Sequence, residues 1–245
     1  MPAYNAQETL SETLKNLPKG VIDEVILIDD CSSDQTYKTA LAISRKQGLK
    51  LKVFRNSRNL GYGGNMKQCF TKALAAKADI VVEIHPDNEY GSDAALPAIK
   101  KINSGAALVL GTRFSKGAHA LESGMFVWKY PVTRFLTLID NLVLGTDLSD
   151  CHQGFRVYNS ELLRRIDYRA FSNNFLFTFE IIVQTRLLGE RIDQVKVKTN
   201  YVGRKRGVSF WTGLIYSLGT FKVLVQYLQI KLGRKSLLFS GLVKN

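Results

Sequence analysis

Apolar and polar positions alternate between two periods along the first half of this chain. Short apolar runs at Glu24–Ile28, Leu51–Phe54, Ile80–Ile84 and Ala107–Leu110 read as buried strands. Between them, three- and four-residue apolar spacing predicts helices over Gln7–Asn16, Asp34–Lys46, Gly64–Lys77 and Asp93–Ile102. Strand–helix alternation of this kind predicts an α/β fold with a mostly parallel sheet and helices on both faces. From about Gly117 the pattern is less regular, and this half is expected to supply the acceptor side of any site. The segment Phe210–Ile230 is almost continuously apolar, with Lys222 its single charge. Ser209, Thr212, Tyr216 and Thr220 give it a weakly polar face, so it reads as an amphipathic helix on a bilayer interface rather than a crossing. A helix packed on the domain is the plainer alternative. Two units are therefore expected, residues 1–208 and the membrane-associated segment 209–245.

The net charge of +13 asks for an anionic partner. Much of it lies late, in Arg204-Lys205-Arg206 and in Lys231, Arg234 and Lys235, where it follows the apolar segment and suits anionic headgroups. The basic residues are not interleaved with aromatics in a groove-entering motif, which argues against nucleic acid as a partner. Three widely spaced cysteines, Cys31, Cys69 and Cys151, fit reduced thiols better than a disulfide framework. No signal peptide is read before the first motif, so the expected location is peripheral, on the cytoplasmic side of a membrane.

The chemistry clusters where the strands end. In open sheets, ligands sit beyond the carboxyl ends of the strands. Those ends carry Asp29-Asp30, Asn56 to Asn59, His85 to Glu89, and Thr112-Arg113. His85, Asp87 and Glu89 at alternate positions after a buried strand suit a hard divalent cation, Mg²⁺ or Mn²⁺, that keeps positions open for phosphate oxygens. A polar strand-to-helix turn is the bland alternative. Gly61-Tyr62-Gly63-Gly64 before a helix would permit close backbone approach to a ligand, although it lacks a dinucleotide or P-loop spacing. Arg113, Arg156, Arg204 and Arg206 could neutralise a diphosphate leaving group.

As an ordered set, Pro2-Ala3-Tyr4-Asn5, Val25 to Asp34, Asn59 to Gly63, His85-Pro86-Asp87, Gly111 to Phe114, Asp150 to Arg156 and Arg204 to Ser209 resemble the family-two glycosyltransferases of the GT-A fold. The branch containing dolichyl-phosphate mannose synthase and polyprenyl-phosphate glucosyltransferases is the nearest in character. The resemblance implies that Pro2, Ala3, Tyr4, Asn5, Asp29, Asp30, Gly61, Arg204 and Ser209 bind the nucleotide sugar. It implies a metal held by His85, Asp87 and Glu89, and catalytic roles for Asp87, Arg113, Asp150 and Arg156. The implied reaction is an inverting transfer of a hexose from a UDP-glucose- or GDP-mannose-type donor to polyprenyl or dolichyl phosphate. A sugar-hydroxyl acceptor, with Asp150 as base, is the runner-up, and a non-catalytic nucleotide-sugar-binding relative is a further alternative. The sequence departs from the family at His85, where aspartate is usual, and at Ala6, where an acidic residue is common. It also lacks most of the family's first strand, so an open central position in the sheet is expected.

Overall fold

A computed structural model describes residues 1–45, 50–114, 120–201, 210–234 and 239. The elements follow one another as β1 (Pro2–Ala3), α1 (Gln7–Lys15), β2 (Val25–Asp29), α2 (Thr36–Ser44), β3 (Leu51–Arg55), α3 (Gly61–Ala75), β4 (Ile80–Glu83) and α4 (Ala95–Asn103). The second half contributes β5 (Leu108–Thr112), α5 (Lys129–Leu144), β6 (Arg156–Asn159), α6 (Ser160–Arg165), α7 (Phe177–Leu187), β7 (Ile192–Lys196) and α8 (Phe210–Lys231). The four expected strands and four expected helices form within a few residues of their predicted bounds.

The strands make two hydrogen-bonded groups, ordered β1-β2-β3 and β4-β6-β5-β7. All pairs are parallel except those of β6, which runs antiparallel to both β4 and β5. Period-two alternation sends neighbouring residues to opposite faces. Leu108, Leu110 and Tyr158 pack with α3, α6, α7 and α8, whereas Val109 and Val157 pack with α1 and α4. Helices therefore cover both faces of a mostly parallel sheet, as the pattern requires.

The expected opening in the middle of the sheet is present. β1 is two residues long and pairs with β2 only at Pro2–Ile28 and Ala3–Asp29. Below it, a slot of about 450 Å³ separates the edge of β2 from the edge of β4. Cys31, Cys69 and Cys151 form no disulfide.

Helix α8 has a side packed on the domain and other faces that carry exposed apolar side chains. Thr220, Val223, Leu224 and Tyr227 are buried against the core, while Trp211, Ile215, Leu218 and Val225 on other faces are exposed. Among the described residues no helix is long and apolar enough to cross a membrane.

Candidate functional site

At the amino end, β1 buries Pro2 and Ala3 and turns Tyr4 and Asn5 outward. The turn is tied to the loop after β2. Ser32 Oγ accepts from Asn5 N at 2.9 Å, and Asn5 Oδ1 accepts from Ser33 N at 3.0 Å. The Asp34 carboxylate bridges Gln7 N and Thr36 N, and burial, which pushes it up, is outweighed by those hydrogen bonds, so it sits below its ordinary range. Asp34 thus closes the turn that enters α2. Asp30 is buried and accepts from Asn56 Nδ2 at 2.7 Å and Leu60 N at 2.9 Å. Asp29 is buried and paired with Arg55 Nε at 3.1 Å. These strand-end carboxylates set the shape of the loops around them.

The glycine run has a neighbour other than the expected ligand. Gly61 has φ +77°, and Gly63 N donates to Asn173 O at 2.8 Å. A Cβ on Gly63 would lie 2.4 Å from Ser172 O and 2.8 Å from Phe177 Cβ. The close approach that these glycines permit is taken by the 172–174 backbone, which caps the amino terminus of α3. Lys67 Nζ holds the same loop through Asn173 Oδ1 at 2.7 Å.

Beyond β4, His85 Nε2 faces Glu83 Oε1 at 3.0 Å, a partner that the expectation did not include. Residues two apart on a strand share a side, which brings 83 and 85 together. Glu83 is buried and also accepts from Tyr158 OH at 2.6 Å and, at closer range, from Tyr62 OH. Burial pushes the Glu83 carboxyl up and the His85 ring down. Their hydrogen bond and mutual charge outweigh both effects, so Glu83 is held below and His85 above its ordinary value. Among the described residues no three His, Cys, Asp or Glu side chains converge as a metal site. Asp87 and Glu89 still suit Mg²⁺ or Mn²⁺, because such ions bind through one or two carboxylates and complete their shell with water and phosphate oxygens. Asp87 Oδ1 accepts from Glu89 N at 2.9 Å, which fixes the turn between them.

Arg156 is also placed differently from expectation. It opens β6 only 1% exposed, beside Glu83, Tyr62 and Tyr158, where it balances the buried carboxylate and does not line the open cleft. Gln153 braces the same loop through Phe155, and Gly154 lies against the rings of Tyr90 and His85.

Arg113 and Asp150 form the firmest part of the site. Asp150 is fully buried and receives Arg113 Nε at 2.7 Å and Nη2 at 3.0 Å, a bidentate pair. Arg113 Nη2 also donates to His152 O at 2.9 Å, and Nη1 to Tyr201 OH at 3.1 Å. Burial lowers the basicity of the guanidinium, but Asp150 outweighs it and raises it well above the ordinary value. Both Asp150 oxygens are thus engaged by Arg113. Arg204 and Ser209 lie outside the described residues.

A cavity of about 370 Å³ opens from Arg113, Glu89 and Tyr201. Its polar end includes Lys129 at the start of α5, a residue that the sequence did not single out. Burial pushes the Lys129 amine down against the upward pull of Glu89. The rest of the wall is Met125, Phe126, Trp128, Val132, Leu136 and Leu214, contributed by α5, the segment before it, and α8. His152 closes the wall, bonded through Nδ1 to Tyr216 OH at 3.0 Å and facing Asp140 at 2.9 Å through Nε2. The arrangement is a polar pocket, holding Arg113, Lys129 and Glu89, at the mouth of an apolar cleft.

Comparison with known proteins bears on the family and the fold. The chain is 29% identical over 220 residues to an undecaprenyl-phosphate mannosyltransferase of Micrococcus luteus, covering 87% of this chain and 86% of that protein. It is 23% identical to a UDP-N-acetylglucosamine–dolichyl-phosphate N-acetylglucosaminyltransferase of Methanococcus voltae, with 96% and 95% covered. In three dimensions it resembles glucosyl-3-phosphoglycerate synthase from Mycobacterium tuberculosis in complex with UDP, with a TM-score of 0.64 and 19% identity over 96% of this chain and 79% of that one. The same neighbour has been solved with Mn²⁺ and UDP-glucose. The glycosyl transferase family 2 model matches residues 1–167, and the chain belongs to that family, on a GT-A fold.

Proposed function

We propose that the chain transfers a hexosyl group from a nucleotide sugar to a polyprenyl- or dolichyl-type phosphate at a membrane surface. One observation carries this reading: the cavity that joins Arg113, Lys129 and Tyr201 to an apolar cleft between α5 and α8. A phosphate monoester with a long hydrocarbon tail matches both ends of it. The outer surfaces of the two helices extend the match. Phe135, Leu138 and Leu142 of α5 are exposed at helical spacing, as are Trp211, Ile215 and Leu218 of α8, with Phe126 and Val127 beside them. An apolar surface of this extent, next to a basic segment, suits insertion at the headgroup boundary. In this reading 209–245 is a membrane-associated unit, and α5 shares its surface.

An acceptor phosphate oxygen attacks the anomeric carbon as the bond to the diphosphate breaks, with inversion. That oxygen is already anionic, so no side chain need take a proton. The engagement of Asp150 with Arg113 agrees with this. Arg113 is held rigid and charged, and with Lys129 it steadies the acceptor phosphate and the departing diphosphate. Asp87 and Glu89 would hold Mg²⁺ or Mn²⁺, which supplies charge neutralisation at the diphosphate. The curated relatives with polyprenyl- and dolichyl-phosphate names, and the Mn²⁺- and UDP-bound neighbour, support the acceptor class and the donor chemistry.

The test uses purified protein, Mn²⁺, polyprenyl phosphate in detergent and a panel of radiolabelled nucleotide sugars. Label from one donor should enter the organic phase and be lost with EDTA. Label appearing only in water-soluble glycan would overturn the acceptor assignment.

A further inference from the structure

One residue of the cavity wall reaches both of its ends. His152 follows Asp150 in the loop before β6, and its backbone is tied to the buried pair. Its N–H donates to Asp150 Oδ1 at 3.2 Å, and its carbonyl accepts from Arg113 Nη2 at 2.9 Å. Its side chain is 6% exposed and touches both helices that wall the apolar cleft. On α5, Leu136 lines the cleft, and Asp140, one turn on, shares its face, with Oδ2 2.9 Å from His152 Nε2. On α8, Gly213, Tyr216 and Ser217 line the cleft at helical spacing, and the Tyr216 hydroxyl lies 3.0 Å from His152 Nδ1. Burial raises the Tyr216 hydroxyl above its ordinary value, so it keeps its proton and can donate to Nδ1. In the neutral ring, Nε2 then carries the hydrogen that faces the Asp140 carboxylate. Phe179 of α7 stacks on the ring, with centroids 5.7 Å apart. The two helices and the phosphate-facing arginine thus meet at a single residue.

The contact with α5 is close but incomplete. His152 Nε2 and Asp140 Oδ2 are both buried, and among the described residues neither makes an aligned hydrogen bond. Buried polar atoms in that state are costly, and a slight shift of α5 against the ring completes the bond. We propose that His152 is a positioning residue that couples the tail of the acceptor to its phosphate, by passing the spacing of α5 and α8 through its ring and backbone to Arg113. The inference rests on the prenyl-phosphate reading given above. A hydrocarbon tail pressed against Leu136 and Leu214 acts on the helices that hold Asp140 and Tyr216. The ring follows those two partners, and the carbonyl of the same residue holds one arm of the guanidinium. Binding energy from a part of the acceptor far from the reacting oxygen is then expressed in the transition state, so the tail raises kcat as well as lowering KM. Without the link the tail acts on KM alone, because its contact with the cleft is the same in ground and transition states.

The test compares a long polyprenyl phosphate with dimethylallyl phosphate, whose tail is too short to span the cleft, in the label-transfer assay on the full chain. Both acceptors are used in the same detergent, and kcat and KM are measured separately for each. In the wild-type chain, kcat with the long acceptor should exceed kcat with the short one by about tenfold or more. Tyr216→Phe removes only the hydroxyl, and His152→Leu removes both ring contacts. In each, the kcat ratio should collapse toward unity while the KM ratio persists. His152→Asn places an amide where Nδ1 lies and can keep the Tyr216 bond, so it should retain more of the kcat ratio than His152→Leu. Melting temperatures show whether the variants fold, and Tyr216→Phe, which keeps the ring, carries the test should His152→Leu unfold. A kcat ratio that survives in Tyr216→Phe would overturn the proposal, as would a kcat loss equal for both acceptors, which is what a general defect in the fold produces. A wild-type kcat indifferent to the tail would overturn it too. Failure of the wider reading looks different: the wild-type chain then labels neither acceptor, and this inference falls with it.

Discussion

The two ends of the cleft treat their polar groups in opposite ways. At the end of β2, Asp29, Asp30 and Asp34 spend hydrogen bonds on the chain itself, on Arg55, Asn56, Leu60, Gln7 and Thr36. At the end of β5, Asp150 spends both oxygens on one arginine, and that arginine faces a cavity with an amine and an apolar wall. The first region builds a rigid frame by saturating its polar atoms. The second holds a charge still, in a half-dry place where it is worth most. Among the described residues, most exposed large apolar side chains lie near the second, on α5, α8 and the segment before α5.

The largest effect should come from separating the buried pair. Replacing Asp150 by Ala leaves Arg113 charged, buried and without its bidentate partner, which should cost about 3–5 kcal/mol in urea unfolding. Donor-dependent label transfer should fall with it. Next, Gly63→Ala drives a Cβ into the Ser172 carbonyl, and both atoms sit on backbone that cannot swing aside. A loss of about 1–3 kcal/mol is expected, with the 172–174 loop gaining hydrogen exchange. The apolar end answers to a different measurement. Phe135 and Ile215 are 58% and 68% exposed, so Phe135→Asp with Ile215→Asp should leave the melting temperature nearly unchanged. Sedimentation with anionic vesicles should nevertheless drop about tenfold or more.

The smallest effect is a pH dependence in the Glu83–His85 pair, measured in EDTA. His85 is raised above 6.5, so its stabilisation is complete below 6.5 and is lost as pH rises through the folded value. Glu83 is lowered below 4.5, so its share is present above 4.5 and is lost as pH falls through the folded value. Stability should therefore peak between these ranges. A melting temperature lower by about 2–4 °C on the alkaline side, and a smaller decline in His85→Gln, would match the pair.

Strands β2 to β5 were readable as short apolar runs, and helices α1 to α4 by the spacing of their apolar residues. Helix α7 was not, since Phe177 through Thr185 are all buried and no apolar stripe distinguishes one face. Strands β6 and β7 are short and carry Arg156, Asp193 and Lys196, so no apolar run marks them. The reading of His85 left out Glu83, two residues earlier, which is the ring's hydrogen-bond partner. Gly61 and Gly63 were rightly seen as sites of close approach, but the approaching backbone, at 172–174, lies more than a hundred residues away.

The sequence by itself determined the alternating architecture, the strand-end clusters, the apolar late helix and the family, because these depend on local period and on the order of motifs. Only the tertiary structure decided which charges meet. Arg113 and Asp150 are 37 positions apart, and Lys129 reaches the same cavity from a helix that the pattern did not flag. Pairing across such distances is set by how the layers pack, and packing decides which carboxylate is consumed by a neighbour and which remains for a ligand.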